Sequence, residues 1–234
     1  MDSCLSSGYS RKCSDSNVPT KIISFWDGDE HCNGTIWFTE RAGNKIGKLV
    51  PGTGAITEYN VPTANSQPSG LAIYGGIAFF AEAQGNRLGR VTLGSGAIVE
   101  TLLIDTPNCL PEDVTINLWG RAWVTEMQGN KIALNYWTTL TDFLQFTVPT
   151  PNSEPYGITM ASDGATVWFT ERAGNKIGRF DGSFAEFPLP TPASSPTGVV
   201  LDSVGCVWYA APTANQIGRF CPVRVFLPVI LKNW

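Results

Sequence analysis

Four glutamates recur at matched places in this chain. Glu40, Glu82, Glu126 and Glu171 each close a short aromatic phrase: WFTE, FFAE, WVTE and WFTE. Carboxylates gathered at one mouth repel one another unless something offsets the charge, and an oxygen-only set suits Mg²⁺ or Ca²⁺. A second acidic group, Glu112 and Asp113 in PED, lies near Glu126 in sequence. These three form the candidate catalytic cluster, as metal ligands or as a general base. The single histidine, His31, sits in DGDEHCNG. Strand alternation puts it on the face away from those acids, which leaves Ser-His-Asp and Cys-His chemistry without a base. Paired carboxylates for glycoside hydrolysis are compatible with the acidic mouth. No phosphate loop or dinucleotide fingerprint is present.

The acids are positioned by a repeat. WFTERAGNKIG occurs unchanged at residues 37–47 and 168–178, with weaker copies beginning at Phe79, Trp123 and Trp208. The leading aromatics, at 37, 79, 123, 168 and 208, are spaced by 42, 44, 45 and 40 residues. PSG, PED, PYG and PTG precede them, at Pro68, Pro111, Pro155 and Pro196, and phrases such as ITEYNVPT and FAEFPLPT follow. Each unit reads as four short strands joined by Gly-containing turns, with almost no helical periodicity. Units of this length with four strands describe propeller blades. The expected fold is therefore all-β, a β-propeller of about five four-stranded blades. The leading aromatics become inter-blade core, and the Asn of each GN turn bonds local backbone. A glutamate repeated in nearly every blade reads first as the holder of that blade's turn, and second as a cation ligand. Ala211 interrupts the set in the fifth unit.

Recognition is sought where the units differ. The variable place of the Pro-x-Gly phrase holds Ser69, Glu112, Tyr156 and Thr197, while Arg41 and Arg172 follow two of the glutamates. Trp119 and Trp137 lie outside the core aromatic slot and suit stacking on a sugar or contact with a protein. Net charge is −4 without a basic run, which excludes a phosphate-backbone partner, and no apolar run reaches the roughly 20 residues of a membrane span. Six cysteines without C-x-x-C spacing read as disulfides of an extracellular or secreted protein. Residues 1–17 form an N-terminal segment placed to close the last blade, residues 18–221 the propeller, and residues 222–234 an apolar strand or tail that competes for the same place. Closure by the N-terminal segment would bring Cys13 to Cys221, the favoured disulfide. An unpaired edge strand would allow self-association.

The phrase set P-x-G-I, D-G, WFTE, N-x-IGR(F) and E-x-x-x-P resembles the virginiamycin B lyase (streptogramin lyase) repeat family over nearly all of residues 18–221. The resemblance implies a propeller, seven-bladed in the enzymes, that binds Mg²⁺. It also implies opening of a cyclic depsipeptide antibiotic by elimination at an ester, with a histidine as general base. The motif glutamates correspond to Glu40, Glu82, Glu126 and Glu171, but no histidine of this chain stands at a matching place. The favoured reading is a secreted module that lacks the catalytic histidine and requires no cofactor. It would serve glycan or protein recognition, or structural assembly. The runner-up is a metal-dependent lyase or hydrolase acting on an ester or glycoside at the acidic mouth.

Overall fold

The computed structural model describes residues 34–101, 103–135 and 143–222. The N-terminal segment with Cys13, His31, and Trp137 lie outside the described residues. Blade 1 contains β1 (Ile36–Glu40), β2 (Lys45–Val50) and β3 (Ala55–Asn60). Blade 2 contains β4 (Pro68–Tyr74), β5 (Ile77–Glu82), β6 (Arg87–Thr92) and β7 (Ile98–Glu100). Blade 3 contains β8 (Pro111–Ile116), β9 (Ala122–Glu126), β10 (Lys131–Asn135) and β11 (Phe143–Thr147). Blade 4 contains β12 (Pro155–Met160), β13 (Val167–Glu171), β14 (Lys176–Phe180) and β15 (Phe184–Pro188). Blade 5 contains β16 (Val199–Leu201), β17 (Val207–Ala211) and β18 (Gln216–Phe220). Every blade is an antiparallel meander in chain order, so the protein is an all-β propeller, with five sheets among the described residues.

Four of the five leading aromatics, Trp37, Phe79, Trp123 and Trp168, are buried core, as their spacing predicts, whereas the expectation for Trp208 is corrected: it is 38% exposed. Trp37 packs with Leu71 and Phe80 of blade 2, and Trp123 with Ile158 and Phe169 of blade 4. Trp168 packs with Val207 and Tyr209 of blade 5. The second aromatic of each phrase explains the glycine of KIG. A Cβ on Gly47, Gly89 or Gly178 would fall 2.3, 2.1 or 2.1 Å from the ring tip of Phe38, Phe80 or Phe169. Blade 3 solves the same packing differently: Val124 replaces the phenylalanine, and its cross-strand partner is Ala133.

The GN asparagines tie consecutive blades. Asn130, at φ 53°, donates Nδ2 hydrogens to the carbonyls of Val148 and Thr150, 3.1 Å each. Its Oδ1 accepts the N–H and hydroxyl of Ser153, at 2.7 and 3.0 Å. Asn44 and Asn175 bind Ser66 and Ser194 in the same way. At Asn86 the partner is the N–H of Cys109, a free buried thiol in the slot that serine fills elsewhere.

The favoured disulfide is corrected. Cys221 is bonded to Cys206, with Cα atoms 4.2 Å apart. The register pairs Val207 with Phe220. Cys206 and Cys221 therefore flank that pair, one residue before β17 and one residue after β18.

Candidate functional site

The repeated glutamates end the second strand of each four-stranded blade. Glu82, Glu126 and Glu171 are 0% exposed, whereas Glu40 is half-buried. Each carboxyl folds back over its own turn: a Cβ on Gly85, Gly129 or Gly174 would lie 2.8, 2.8 or 2.9 Å from the glutamate Oε2. The Glu-x-x-Gly spacing thus exists to seat the carboxyl. None of these six oxygens receives a well-formed hydrogen bond. The hydroxyl that acts on Glu82 is that of Ser66, and on Glu171 that of Ser153. Each serine already directs its one hydrogen to an asparagine Oδ1. A serine so committed can accept a hydrogen bond but has none left to give. A neutral glutamic acid can donate to it, while an ionised one finds no donor. Burial, and secondarily Glu100, raises Glu82 to about 7. Burial, and secondarily Glu186, likewise raises Glu171 to about 7. Glu126 is raised chiefly by burial, against the opposing influence of Thr106 and Lys131.

The buried carboxyls are seated one to each turn rather than gathered in a shared ring. Each buried carboxyl belongs to its own turn, beneath the backbone. Among the described residues no group of three or more His, Cys, Asp or Glu side chains is placed to hold a metal ion. The donor set therefore does not fit the Mg²⁺ that the resemblance implies.

The turns after the second strands and the loops that enter each blade share one face, which is the mouth. Here Arg41 of blade 1 reaches across to Glu112 of blade 3. Its Nη1 and Nη2 donate to Glu112 Oε2 and Oε1 at 2.8 and 2.9 Å, and its Nε donates to Gln67 at 3.3 Å. Such a two-pronged guanidinium–carboxylate pair is both strong and geometrically specific. Hydrogen bonding to Glu112, which is 4% exposed, raises the Arg41 pKa, and Tyr156 acts on the guanidinium as well. The Arg172 guanidinium lies 5.1 Å from the Tyr156 ring centre and donates through Nε to Glu154 at 2.8 Å. The structure thus brings together Arg41, Glu112, Tyr156 and Arg172.

It does not unite the candidate catalytic cluster. Asp113 fills the glycine place of the inner strand, where its Oδ1 accepts the N–H of Val114 and its Oδ2 that of Ile158 in the next blade, both at 3.1 Å. Glu126 lies beneath its turn beside Cys109. Glu112, Asp113 and Glu126 therefore perform three separate jobs. Ser69 is 6% exposed and donates its hydroxyl to the Pro111 carbonyl at 3.3 Å. Thr197 accepts at its carbonyl from the Thr170 hydroxyl at 2.8 Å. Trp119 is 59% exposed, but in the β8–β9 turn on the face opposite the mouth.

Sequence reasoning passed over three groups. The threonine of WFTE stitches inner strands: Thr125 accepts the N–H of Asp113 and donates to the Tyr156 carbonyl at 2.7 Å. Gln67 and Glu154, the partners of Arg41 and Arg172, precede the Pro-x-Gly prolines at φ 54° and 53°. A non-glycine residue in that region is strained by about 1 kcal/mol. The signal was the S-x-P phrase ahead of the inner strands of blades 2, 4 and 5, with C-L-P in its place in blade 3.

Residues 28–167 match the Virginiamycin B lyase family. Selenomethionine-substituted virginiamycin B lyase from Staphylococcus aureus is 37% identical, with a TM-score of 0.74 over 81% of this chain and 64% of that one. The present chain thus spans less than two thirds of that protein. A catalytically inactive histidine-to-alanine form of virginiamycin B lyase from Staphylococcus aureus, with quinupristin, is 34% identical, with a TM-score of 0.72 over 83% of this chain and 68% of that one. Regucalcin, a calcium-binding protein from Agrobacterium tumefaciens, shares the fold at 17% identity and a TM-score of 0.62, over 80% of this chain and 66% of that one. No match is found among curated protein sequences. The chain belongs to the virginiamycin B lyase family.

Proposed function

We propose that the chain is an extracellular recognition propeller that binds a glycan or protein through its faces and does not perform the lyase reaction. The observation that carries this reading is the commitment of the mouth acids. Glu112 is held by both prongs of Arg41, and Asp113 by two backbone N–H groups. A general base or metal ligand must turn an oxygen toward substrate or ion, whereas these carboxylates are oriented by other partners that already take part of their acceptor capacity. The chain's one histidine, in DGDEHCNG, lies outside the repeated phrase that carries the family resemblance. The Cys206–Cys221 disulfide supports an oxidising compartment. No helix among the described residues is long and apolar enough to cross a membrane.

Kinship with virginiamycin B lyase favours the runner-up, a metal-dependent lyase or hydrolase at Glu112, Asp113 and Glu126. A thermal melt in EDTA against millimolar Mg²⁺ or Ca²⁺ separates the two. Recognition without a metal predicts superimposable melts. A cation at about 100 times its dissociation constant would add roughly 2.7 kcal/mol, a rise of several degrees that would favour the runner-up.

A further inference from the structure

Three of the leading tryptophans are covered from within their own blade. Tyr59 of β3, Phe146 of β11 and Phe187 of β15 stack on Trp37, Trp123 and Trp168, with ring centres 5.6, 5.7 and 5.7 Å apart. Each stacking ring sits on the outermost strand, opposite the isoleucine of the third: Ile46 faces Tyr59, Ile132 faces Phe146 and Ile177 faces Phe187. A basic side chain of the third strand adds a cap, Lys48 over Trp37 and Arg179 over Trp168. With the following blade in place, all three tryptophans are buried and the three isoleucines are 0% exposed.

Blade 5 repeats the tryptophan, the isoleucine and the cap, but it has only three strands among the described residues. Arg219 lies over Trp208, 5.3 Å from the ring centre, yet Trp208 stays 38% exposed and Ile217 77%. Beside this apolar face runs the outer edge of β18, whose backbone is a template for strand addition. The blade is also suited to an apolar outer strand. Elsewhere an outer-strand side chain ties back to the preceding blade: Glu100 accepts the Thr63 hydroxyl, Gln145 that of Thr106 and Glu186 that of Thr150. In blade 5 the corresponding Thr191 hydroxyl bonds Gln216 of the third strand instead, at 3.2 Å. The outer strand there needs no polar partner.

We propose that the chain's own residues 224–228, Arg-Val-Phe-Leu-Pro, add to β18 as the outer strand of blade 5, with Leu227 covering Ile217 and Trp208. The chain leaves β18 at Phe220, and the bond from Cys221 to Cys206 holds the departing backbone at the foot of that edge. Blade 4 turns back through three residues, 181–183, which sets Phe187 opposite Ile177 and Pro188 opposite Lys176. The same turn through residues 221–223 sets Leu227 opposite Ile217 and Pro228 opposite Gln216, so that the two prolines coincide. Proline is tolerated there because an outermost strand can turn its missing N–H to solvent. Closing so short a loop costs less entropy than recruiting the N-terminal segment, which the Cys206–Cys221 bond no longer ties to this blade. The docked tail is independent of what the mouth binds.

The test places a thiol pair in the full chain, Ile217→Cys with Leu227→Cys, and maps its peptides without reductant. Hydrogen exchange of the wild-type chain, read by mass spectrometry, accompanies it. Docking of the tail predicts a bond between the two introduced thiols within one chain, and exchange of residues 224–228 at least tenfold slower than in the unfolded chain. A bond that joins two chains would overturn the proposal in favour of a second copy as the occupant. A protected tail whose thiols do not bond would overturn this register and seat. Exchange at the unfolded rate would overturn the proposal whether or not the thiols bond.

Discussion

Replacing Gly89 with alanine should destabilise the protein by about 3 kcal/mol, although it adds one methyl group. The new Cβ would fall 2.1 Å from Phe80 Cζ, and Phe80 is 0% exposed within the core between blades 1 and 2. Neither group can yield: the ring is walled in, and Gly89 is fixed opposite Phe80 in the β5–β6 register. Blade 3 indicates the remedy, because Val124 there faces Ala133. Phe80→Val alone should cost about 3 kcal/mol through the cavity it leaves. The double variant should cost well under the sum, with a coupling of about 2 kcal/mol measured by urea denaturation of all four forms. Additive costs would mean that Phe80 and Gly89 do not constrain each other.

The second large effect is a dependence on pH. Glu82 and Glu171 are raised to about 7 in the folded protein, while an unfolded glutamate stays near 4.5. For a group whose folded pKa is raised, the stabilising contribution is fully present below the unfolded value and is lost as pH climbs through the folded one. Stability should therefore fall between about pH 4.5 and 7, by on the order of 3 kcal/mol per carboxyl as an upper figure. Charged neighbours modulate this: Glu100 and Arg87 act on Glu82, and Glu186 and Lys176 on Glu171. Glu186, Asp163 and Asp202 are lowered in the folded state, so their contribution is lost on the acid side and the optimum should lie near pH 5. Glu82→Gln with Glu171→Gln keeps a donor for Ser66 and Ser153 but removes the titration. The double variant should gain on the wild type at pH 8 and lose that advantage at pH 5. Parallel Tm profiles for the two proteins would show that these carboxyls are ionised in the fold.

The architecture was legible because it is periodic. Five aromatic phrases at 40–45-residue spacing dictate five sheets, and even the exception in blade 3 is visible as a paired change of Phe to Val and Gly to Ala. Burial of the glutamates was less legible, since a carboxyl at a strand end reads as exposed. Only the glycine three places later reveals that the side chain folds back over the turn. The Arg41–Glu112 pair had no local signature: its members are 71 residues apart and meet because the blades curve around one axis. Cys206 and Cys221 were readable as the residues just outside VWYA and QIGRF, but closure of the ring drew attention to a longer pairing instead.

The most direct measurement is incubation of the chain with quinupristin, with and without Mg²⁺. Opening a ring by elimination leaves the mass unchanged, so the product must be followed by chromatographic retention and fragmentation. Recognition without lyase chemistry predicts one unaltered peak under both conditions. A linear isomer that grows with time, depends on Mg²⁺ and disappears in Glu112→Gln would contradict the account and establish the mouth as an active site.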